Sequence, residues 1–352
     1  MDNFDLSILK WYRQNKRNLP WRNTNNPYFI WLSEIILQQT RVDQGMNYYL
    51  KFIKNFPTIQ HLANADEQTI LSNWQGLGYY SRARNLHATA KEITFNHNGN
   101  FPNKYEEILK LKGIGPYTAA AISSFSFNLV HPVVDGNVFR VLTRIFDIDT
   151  PIDTSEGIKL IYNIANKLIP TNEPGEYNQA IMEFGAIHCT PSQPNCDNCI
   201  FSNQCKAKIN GTILHRPIKS KKTVVKKRYF HYLDISNKVD TILHKRTDED
   251  IWKHLFEFPL IEKNQNDDLQ LIKIQLEKKF NQQILSIPTA QKHVLSHQHI
   301  FTYFWQIKLN NSVLETLNET ETFIVVHKDE MIKYPLPRVI TKYLENINKI
   351  DN

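Results

Sequence analysis

A chain of 352 residues exceeds the usual length of one domain, and a hydrophobic content of 41% suffices for two ordinary cores. No run of 18 apolar residues occurs, and the opening Met1-Asp2-Asn3-Phe4-Asp5 lacks the basic flank and apolar stretch of a secretory signal, so the expectation is a soluble, cytoplasmic, non-membrane protein. The formal charge of +7 is uneven: Lys206 to Phe230 carries nine basic and no acidic residues, leaving −2 elsewhere, which is the footprint of a polyanion partner or of a solvated linker.

The first 200 residues read as helix after helix. Helix-length stretches run Ile30 to Gln39, Thr58 to Asn73, Ala83 to Asn96, Tyr105 to Leu111, Thr118 to Phe127, Gly136 to Phe146 and Ser155 to Leu168, divided by Gly, Pro and Asn turns. Glu34 lies in the first of these, in Ser33-Glu34-Ile35-Ile36-Leu37-Gln38-Gln39-Thr40, among Ile30, Trp31, Leu37 and Gln38. A surface glutamate is the usual fate of this residue type. An apolar setting instead raises its pKa and favours the protonated acid near neutral pH.

Leu77 to His87 combines a glycine turn, aromatics and arginines, which suits either a packed core or a wedge that fills a base stack. Leu111-Lys112-Gly113-Ile114-Gly115-Pro116-Tyr117-Thr118 reads as helix, glycine turn, helix. Gly113 and Gly115 allow positive φ and close backbone approach, Pro116 suits the first helical turn, and the free amides there form a phosphate site blind to base sequence. Asp135, 20 residues after Gly115, follows an apolar run and precedes a helix. It reads as an N-cap, and the helix end favours its anion. One carboxyl kept protonated and one kept ionised is what acid-assisted glycosidic cleavage needs.

All four cysteines, Cys189, Cys196, Cys199 and Cys205, sit within 17 residues as C-x6-C-x2-C-x5-C. Two disulfides this close serve an intracellular chain poorly. Four thiolates suit structural zinc or a [4Fe–4S] cluster. His188 adjoins the set and reads as packing, since four thiolates complete it. The last of the 11 glycines is Gly211, and this shift beside the basic stretch marks a linker. The expected division is a helical domain over 1–210, a basic linker over 211–228 and an α+β domain over 229–352. In the last, Tyr229 to Ile235 and His299 to Leu309 suggest strands, and Asp267 to Phe280 and Pro337 to Ile347 suggest helices.

These motifs together resemble the MutY type of adenine DNA glycosylase, in the helix–hairpin–helix superfamily of endonuclease III. The cysteine spacing is similar to the iron–sulfur loop of those enzymes, which implies a [4Fe–4S] cluster on Cys189, Cys196, Cys199 and Cys205. SEIILQQT resembles the segment carrying the catalytic acid, so Glu34 is expected to protonate adenine N7. Asp135 matches the aspartate that stabilises the oxocarbenium-like sugar or captures C1′, with Tyr117 and Asn137 hydrogen-bonding around it. Arg22, Gln179 and Glu183 match adenine-pocket positions. Gln39, Leu77 and Tyr79 match positions that insert into the duplex or press on oxidised guanine, and Gly113 and Gly115 match the phosphate-binding hairpin.

The C-terminal part resembles a MutT-like (Nudix-like) domain, with Trp252 to Pro259 similar to an LWEFP segment. Having no glycine, it lacks a hydrolase's magnesium box. Ser296 and His297 match a lesion-contacting Phe-Ser-His loop in which Leu295 replaces the aromatic. The resemblance implies a monomeric, monofunctional enzyme of base excision repair that removes adenine opposite 8-oxoguanine or guanine in double-stranded DNA. The alternative is an endonuclease III-like pyrimidine glycosylase and abasic-site lyase. Such bifunctional enzymes carry a Schiff-base lysine where Tyr117 stands. An inert DNA-binding protein and a redox protein are weaker alternatives, because neither accounts for both carboxylates.

Overall fold

The computed structural model describes residues 3–220, 224–308 and 323–350. Lys221 and Lys222 of the basic stripe, and Leu309 at the end of an expected strand, lie outside the described residues. Two compact units divide the chain: Met1–Asn64 with Asn85–Lys222, and Ala65–Arg84 with Thr223–Asn352. Composition alone assigns 65–84 to the helical part. The contacts that group it with the second unit include a Glu67–His254 pair at 2.5 Å and a hydrogen bond from Arg84 Nη1 to the Lys253 carbonyl at 2.9 Å.

Through residue 215 the described regular elements are helical. In order they are α1 (Phe4–Asn15), α2 (Pro27–Leu37), α3 (Val42–Asn55), α4 (Ile59–Asn64), α5 (Glu67–Trp74), α6 (Ser81–Asn96), α7 (Tyr105–Lys110), α8 (Pro116–Phe127), α9 (Gly136–Phe146), α10 (Ser155–Leu168), α11 (Pro174–Glu183) and α12 (Lys206–Ile209). Four of these, α1, α3, α11 and α12, go beyond the stretches expected from periodicity. The expected helix over 58–73 is instead two, because the Asp66 carboxylate accepts from Thr69 N–H at 2.8 Å and starts α5 afresh. α2 stops at Leu37, since Gln38 leaves helical geometry and Gln39 takes a left-handed φ of 56°.

The core of this unit joins α1, α9, α10 and α11 through Ile8, Trp11, Val141, Leu142, Ile161, Ile181 and Phe184. Each such side chain contributes about 1.5–3 kcal/mol on burial. Buried Asn178 ties down the loop entering α9. Its Oδ1 accepts from Val133 N–H at 3.1 Å, and its Nδ2 donates to the His131 carbonyl at 2.8 Å and to Ser124 Oγ at 3.0 Å. That loop delivers Asp135.

The second unit holds a mixed sheet of β1 (Lys226–Ser236), β2 (Asp240–Lys245), β3 (Phe256–Glu257), β4 (Leu260–Lys263), β5 (Gln291–Val294), β6 (Gln298–Lys308) and β7 (Phe323–His327). The order is β3-β2-β1-β6-β5, with β4 on β1 and β7 on β2. β1 and β6 run parallel from Lys226↔Gln298 to Ser236↔Lys308, and the other pairs are antiparallel. α13 (Leu269–Phe280) packs Ile272 and Leu276 on Leu233, Ile235, Trp305 and Ile307, and α14 (Arg338–Ile350) closes the chain. In the LWEFP-like segment, Trp252 and His254 hold left-handed φ values of 61° and 67°, conformations that glycine adopts without cost.

Two arginines pair with three acidic groups of this unit. Arg246 Nη1 meets Glu257 at 2.8 Å with both side chains buried, and Tyr232 donates to Glu257 at 3.0 Å. Arg228 bridges Asp250 at 2.5 Å and Glu262 at 2.7 Å. Burial still pushes Glu257 up to about 7 against the pull of Arg246. Arg246→Ala strands that carboxylate, and the expected loss is about 3–5 kcal/mol in urea unfolding at pH 8. Because the folded-state pKa is raised, the penalty belongs to the ionised form and shrinks as the pH falls below 7. An equal loss at pH 5 and pH 8 would refute charge burial as its cause.

Candidate active site

One cavity of about 210 Å³ in the helical unit gathers Arg17, Arg22, Glu34, Tyr117, Asp135, Asn137, Gln179 and Glu183. Residues that the sequence scatters over more than 160 positions therefore share one void. α2 carries Glu34 on a helix whose residues 30–36 are all buried. The Tyr117 hydroxyl, from the first turn of α8, donates to Glu34 Oε2 at 2.7 Å. Burial raises Glu34 to about 7, opposed by that hydrogen bond and reinforced by the nearby Asp135 charge. Burial likewise holds the Tyr117 phenol far above its ordinary value, so it remains a neutral donor.

Asp135 is the N-cap of α9. Its Oδ1 accepts from the Asn137 and Val138 amides at 2.9 and 2.8 Å, and its Oδ2 accepts from Asn137 Nδ2 at 2.7 Å. Burial raises its pKa, and these donors oppose the rise. All of these hydrogen bonds run toward the carboxyl, the pattern that suits an anion. Asn137 is oriented by Arg140, whose Nη2 donates to Asn137 Oδ1 at 2.8 Å and to the Gly185 carbonyl at 2.7 Å.

Arg22 and Glu183 face each other. Glu183 is fully buried, and its two oxygens accept five hydrogen bonds from Arg17 and Arg22. Those partners outweigh burial and hold its carboxyl down at about 2. Sequence reading missed Arg17, although it stands in the run Arg13-Gln14-Asn15-Lys16-Arg17 just before the Pro20-Trp21-Arg22 turn. Gln179 accepts at Oε1 from the Tyr12 hydroxyl at 2.7 Å, another contact that spacing does not reveal. Gln39 does not line the cavity, though its neighbour Thr40 does.

In the glycine turn, Gly113 has φ 77°, and a Cβ there would meet Asn85 Cβ at 2.6 Å. Gly115 differs from expectation. It caps α8 at φ −95° with open space where a side chain would sit, so it leaves room beside the helix amides and uses no positive φ.

The four cysteines line a second, smaller void of about 20 Å³ with Arg144, His188 and Lys208. Arg144 is almost fully buried. It donates to the carbonyls of Thr190, Pro191 and Ile213 at 2.7, 2.7 and 3.0 Å and to Cys189 Sγ at 3.5 Å. It stands four residues after Arg140, which grips the Cys189 carbonyl at 2.8 Å. One face of α9 thus holds the cysteine loop while its first turn holds Asp135. His188 stacks on Phe184 at 4.9 Å, a packing role. Among the described residues no set of three or more His, Cys, Asp or Glu side chains is placed to hold a single metal ion.

In the second unit, the Tyr79 hydroxyl and Ser296 Oγ lie 3.0 Å apart, and Ser296 Oγ lies 3.3 Å from His297 Nδ1. Tyr79 holds a left-handed φ of 49° and is 38% exposed, whereas Leu77 is buried at 7%. Two stretches more than 200 residues apart thus meet at one polar surface.

Known proteins give this arrangement its context. The HhH-GPD superfamily of base excision DNA repair proteins matches residues 32–167, and a NUDIX domain matches residues 231–346. A thermostable thymine-DNA glycosylase of known structure superposes with a TM-score of 0.55 at 28% identity, covering 59% of this chain and 95% of its own. A trapped endonuclease III–DNA covalent intermediate, at 20% identity, shares the fold with a TM-score of 0.52 over 59% of this chain and 95% of its own. The adenine DNA glycosylase of Buchnera aphidicola subsp. Baizongia pistaciae is 38% identical over 99% of this chain and 97% of its own length. The human adenine DNA glycosylase is 39% identical over 58% of this chain and 39% of its own. With a relative matched end to end and a helix–hairpin–helix repair fold around a paired-carboxyl cavity, the chain belongs to the adenine DNA glycosylase family, the MutY-type branch of the base excision repair superfamily.

Proposed function

We propose that this chain removes adenine opposite 8-oxoguanine, and also opposite guanine, from double-stranded DNA by acid-assisted hydrolysis, leaving an abasic site without cutting the strand. The observation that carries the reading is the buried Glu34 carboxyl, raised to about 7, in one cavity with Asp135. A flipped adenine in that cavity receives the Glu34 proton at N7. The N9–C1′ bond then breaks with its electron pair going to the base, and the Asp135 anion faces the positive sugar. Water adds to C1′, and the proton it releases restores Glu34. Tyr117 stands where a lyase would hold its lysine and cannot form an imine, so the chemistry ends at the abasic site. Arg22, Gln179 and Glu183 form the adenine wall, and Gln39 and the Gly113–Gly115 turn engage the duplex.

Glu34→Gln keeps the shape and loses the proton. The expected result is a single-turnover rate lower by about 10²–10⁴-fold with duplex binding retained. In the unaltered chain the rate should fall as the pH rises through 7, where Glu34 ionises, and Asp135 should add a limb on the acid side, its pKa being raised from the usual aspartate value. A rate that is flat from pH 6 to 9 would remove Glu34 from the role.

The donor set around the smaller void suits a [4Fe–4S] cluster held by Cys189, Cys196, Cys199 and Cys205. It contains four thiols, apolar walls from Phe184 and Phe201, and the cations Arg144 and Lys208 to offset negative charge. Bound, the cluster supplies a cross-link that closes the 189–205 loop. Four irons per chain are expected by elemental analysis, with loss of iron and a lower melting temperature in Cys199→Ser. One zinc and no iron would overturn the assignment.

Ser296, with Tyr79 and His297 beside it, reads the oxidised base, whose N7–H donor finds an oxygen acceptor. Ser296→Ala with His297→Ala should lower the preference for adenine opposite 8-oxoguanine over adenine opposite guanine by about 1–3 kcal/mol. An unchanged ratio of single-turnover rates on the two duplexes would place lesion reading elsewhere.

A further inference from the structure

Tyr12 stands behind the cavity wall and is 1% exposed, yet it touches two residues of that wall. Its hydroxyl donates to Gln179 Oε1 at 2.7 Å, and the Arg22 guanidinium lies over its ring at 5.5 Å. Arg22 is in turn fixed to Glu183 at 2.7 Å. Burial pushes the Tyr12 phenol up to about 12, so the hydroxyl keeps its proton at any working pH and can make this donation.

A glutamine amide offers one acceptor oxygen and one donor nitrogen, and a half-turn about its last bond exchanges them. Nothing in an open cavity would choose between the two orientations. With Oε1 engaged by Tyr12, and no other side-chain hydrogen bond of Gln179 among the described residues, Nε2 is left as the group offered to the cavity that Gln179 lines. A donor there is matched by a ring nitrogen carrying a lone pair and opposed by an N–H. Adenine and guanine differ in this respect at N1, which is a lone pair in adenine and an N–H in guanine.

We propose that Tyr12 is a positioning residue for base selection: its hydroxyl locks the Gln179 amide with Nε2 toward a lone-pair nitrogen of the base, and its ring holds Arg22 alongside. The proposal rests on the reading of this cavity as the adenine pocket.

A double-mutant cycle tests it. Tyr12→Phe deletes only the hydroxyl and keeps the ring under Arg22, and Gln179→Leu deletes the amide. The expected result is that each single variant slows adenine release by about tenfold, the worth of one well-placed hydrogen bond. Tyr12→Phe should also narrow the ratio of adenine to guanine release, and adding it to Gln179→Leu should change nothing further. If Gln179→Leu is slow and Tyr12→Phe is not, the positioning role falls and the pocket reading stands. The role falls likewise if the two effects multiply, since Tyr12 then acts on its own, or if Tyr12→Phe lowers the melting temperature and leaves the base ratio intact. If Gln179→Leu releases adenine at the unaltered rate, the pocket reading fails and this proposal fails with it.

Discussion

Desolvation of the Glu34 carboxyl is the constraint around which the helical unit is organised. A carboxyl on a surface helix ionises near its ordinary value and can donate no proton at neutral pH. Here α2 also buries Ile30, Trp31, Leu32, Ile35 and Ile36, and Glu34 is 7% exposed at the cavity it lines. Its raised pKa is the consequence. Asp135 shares the cavity and adds to the rise, while the backbone amides at the start of α9 give Asp135 itself the donors an anion needs. Two carboxyls of similar intrinsic acidity thus meet different surroundings in one cavity, one desolvated beside a phenol and one capping a helix.

Buried and half-buried arginines do the rest of the positioning. A guanidinium is always charged and carries five donors in a fixed plane, so it is tolerated inside a protein when carbonyls and carboxylates meet those donors. Arg144 satisfies this with the carbonyls of the cysteine loop, Arg140 with Gly185 and Asn137, and Arg17 and Arg22 with Glu183. α9 is consequently the shared strut of the unit. Its N-terminus holds the aspartate, and its side chains hold the loop that carries the thiols.

The second unit uses the same device for another end. Arg228 and Arg246 occupy Asp250, Glu257 and Glu262, so these acidic groups serve as internal cross-links of the sheet. Two residues with left-handed backbone join the two segments of this unit. Tyr79 itself is left-handed, and His254, also left-handed, binds Glu67 at the start of α5. Non-glycine residues in that region persist only where surrounding contacts compensate for the strain.

Much of this protein was legible before any coordinates. The helices over 136–146 and 155–168 follow from apolar period, capping residues and turn glycines, and they stand at those bounds. The cysteine spacing, the Gly113–Tyr117 turn and the two carboxylates stood out because short motifs keep their chemistry within a few residues. Other features were invisible for a common reason: they are meetings of residues far apart in the chain. Tyr12 with Gln179, Arg17 with Glu183 and Tyr79 with Ser296 have no local signature, since each residue alone reads as a surface polar or aromatic side chain. The expected single helix over 58–73 and the expected positive φ at Gly115 were misread, because a cap and an open backbone are judged by what surrounds them. The chain by itself determined which groups are available for chemistry. Only tertiary packing decided their protonation, by removing water from Glu34, and their orientation, by placing buried donors opposite their acceptors.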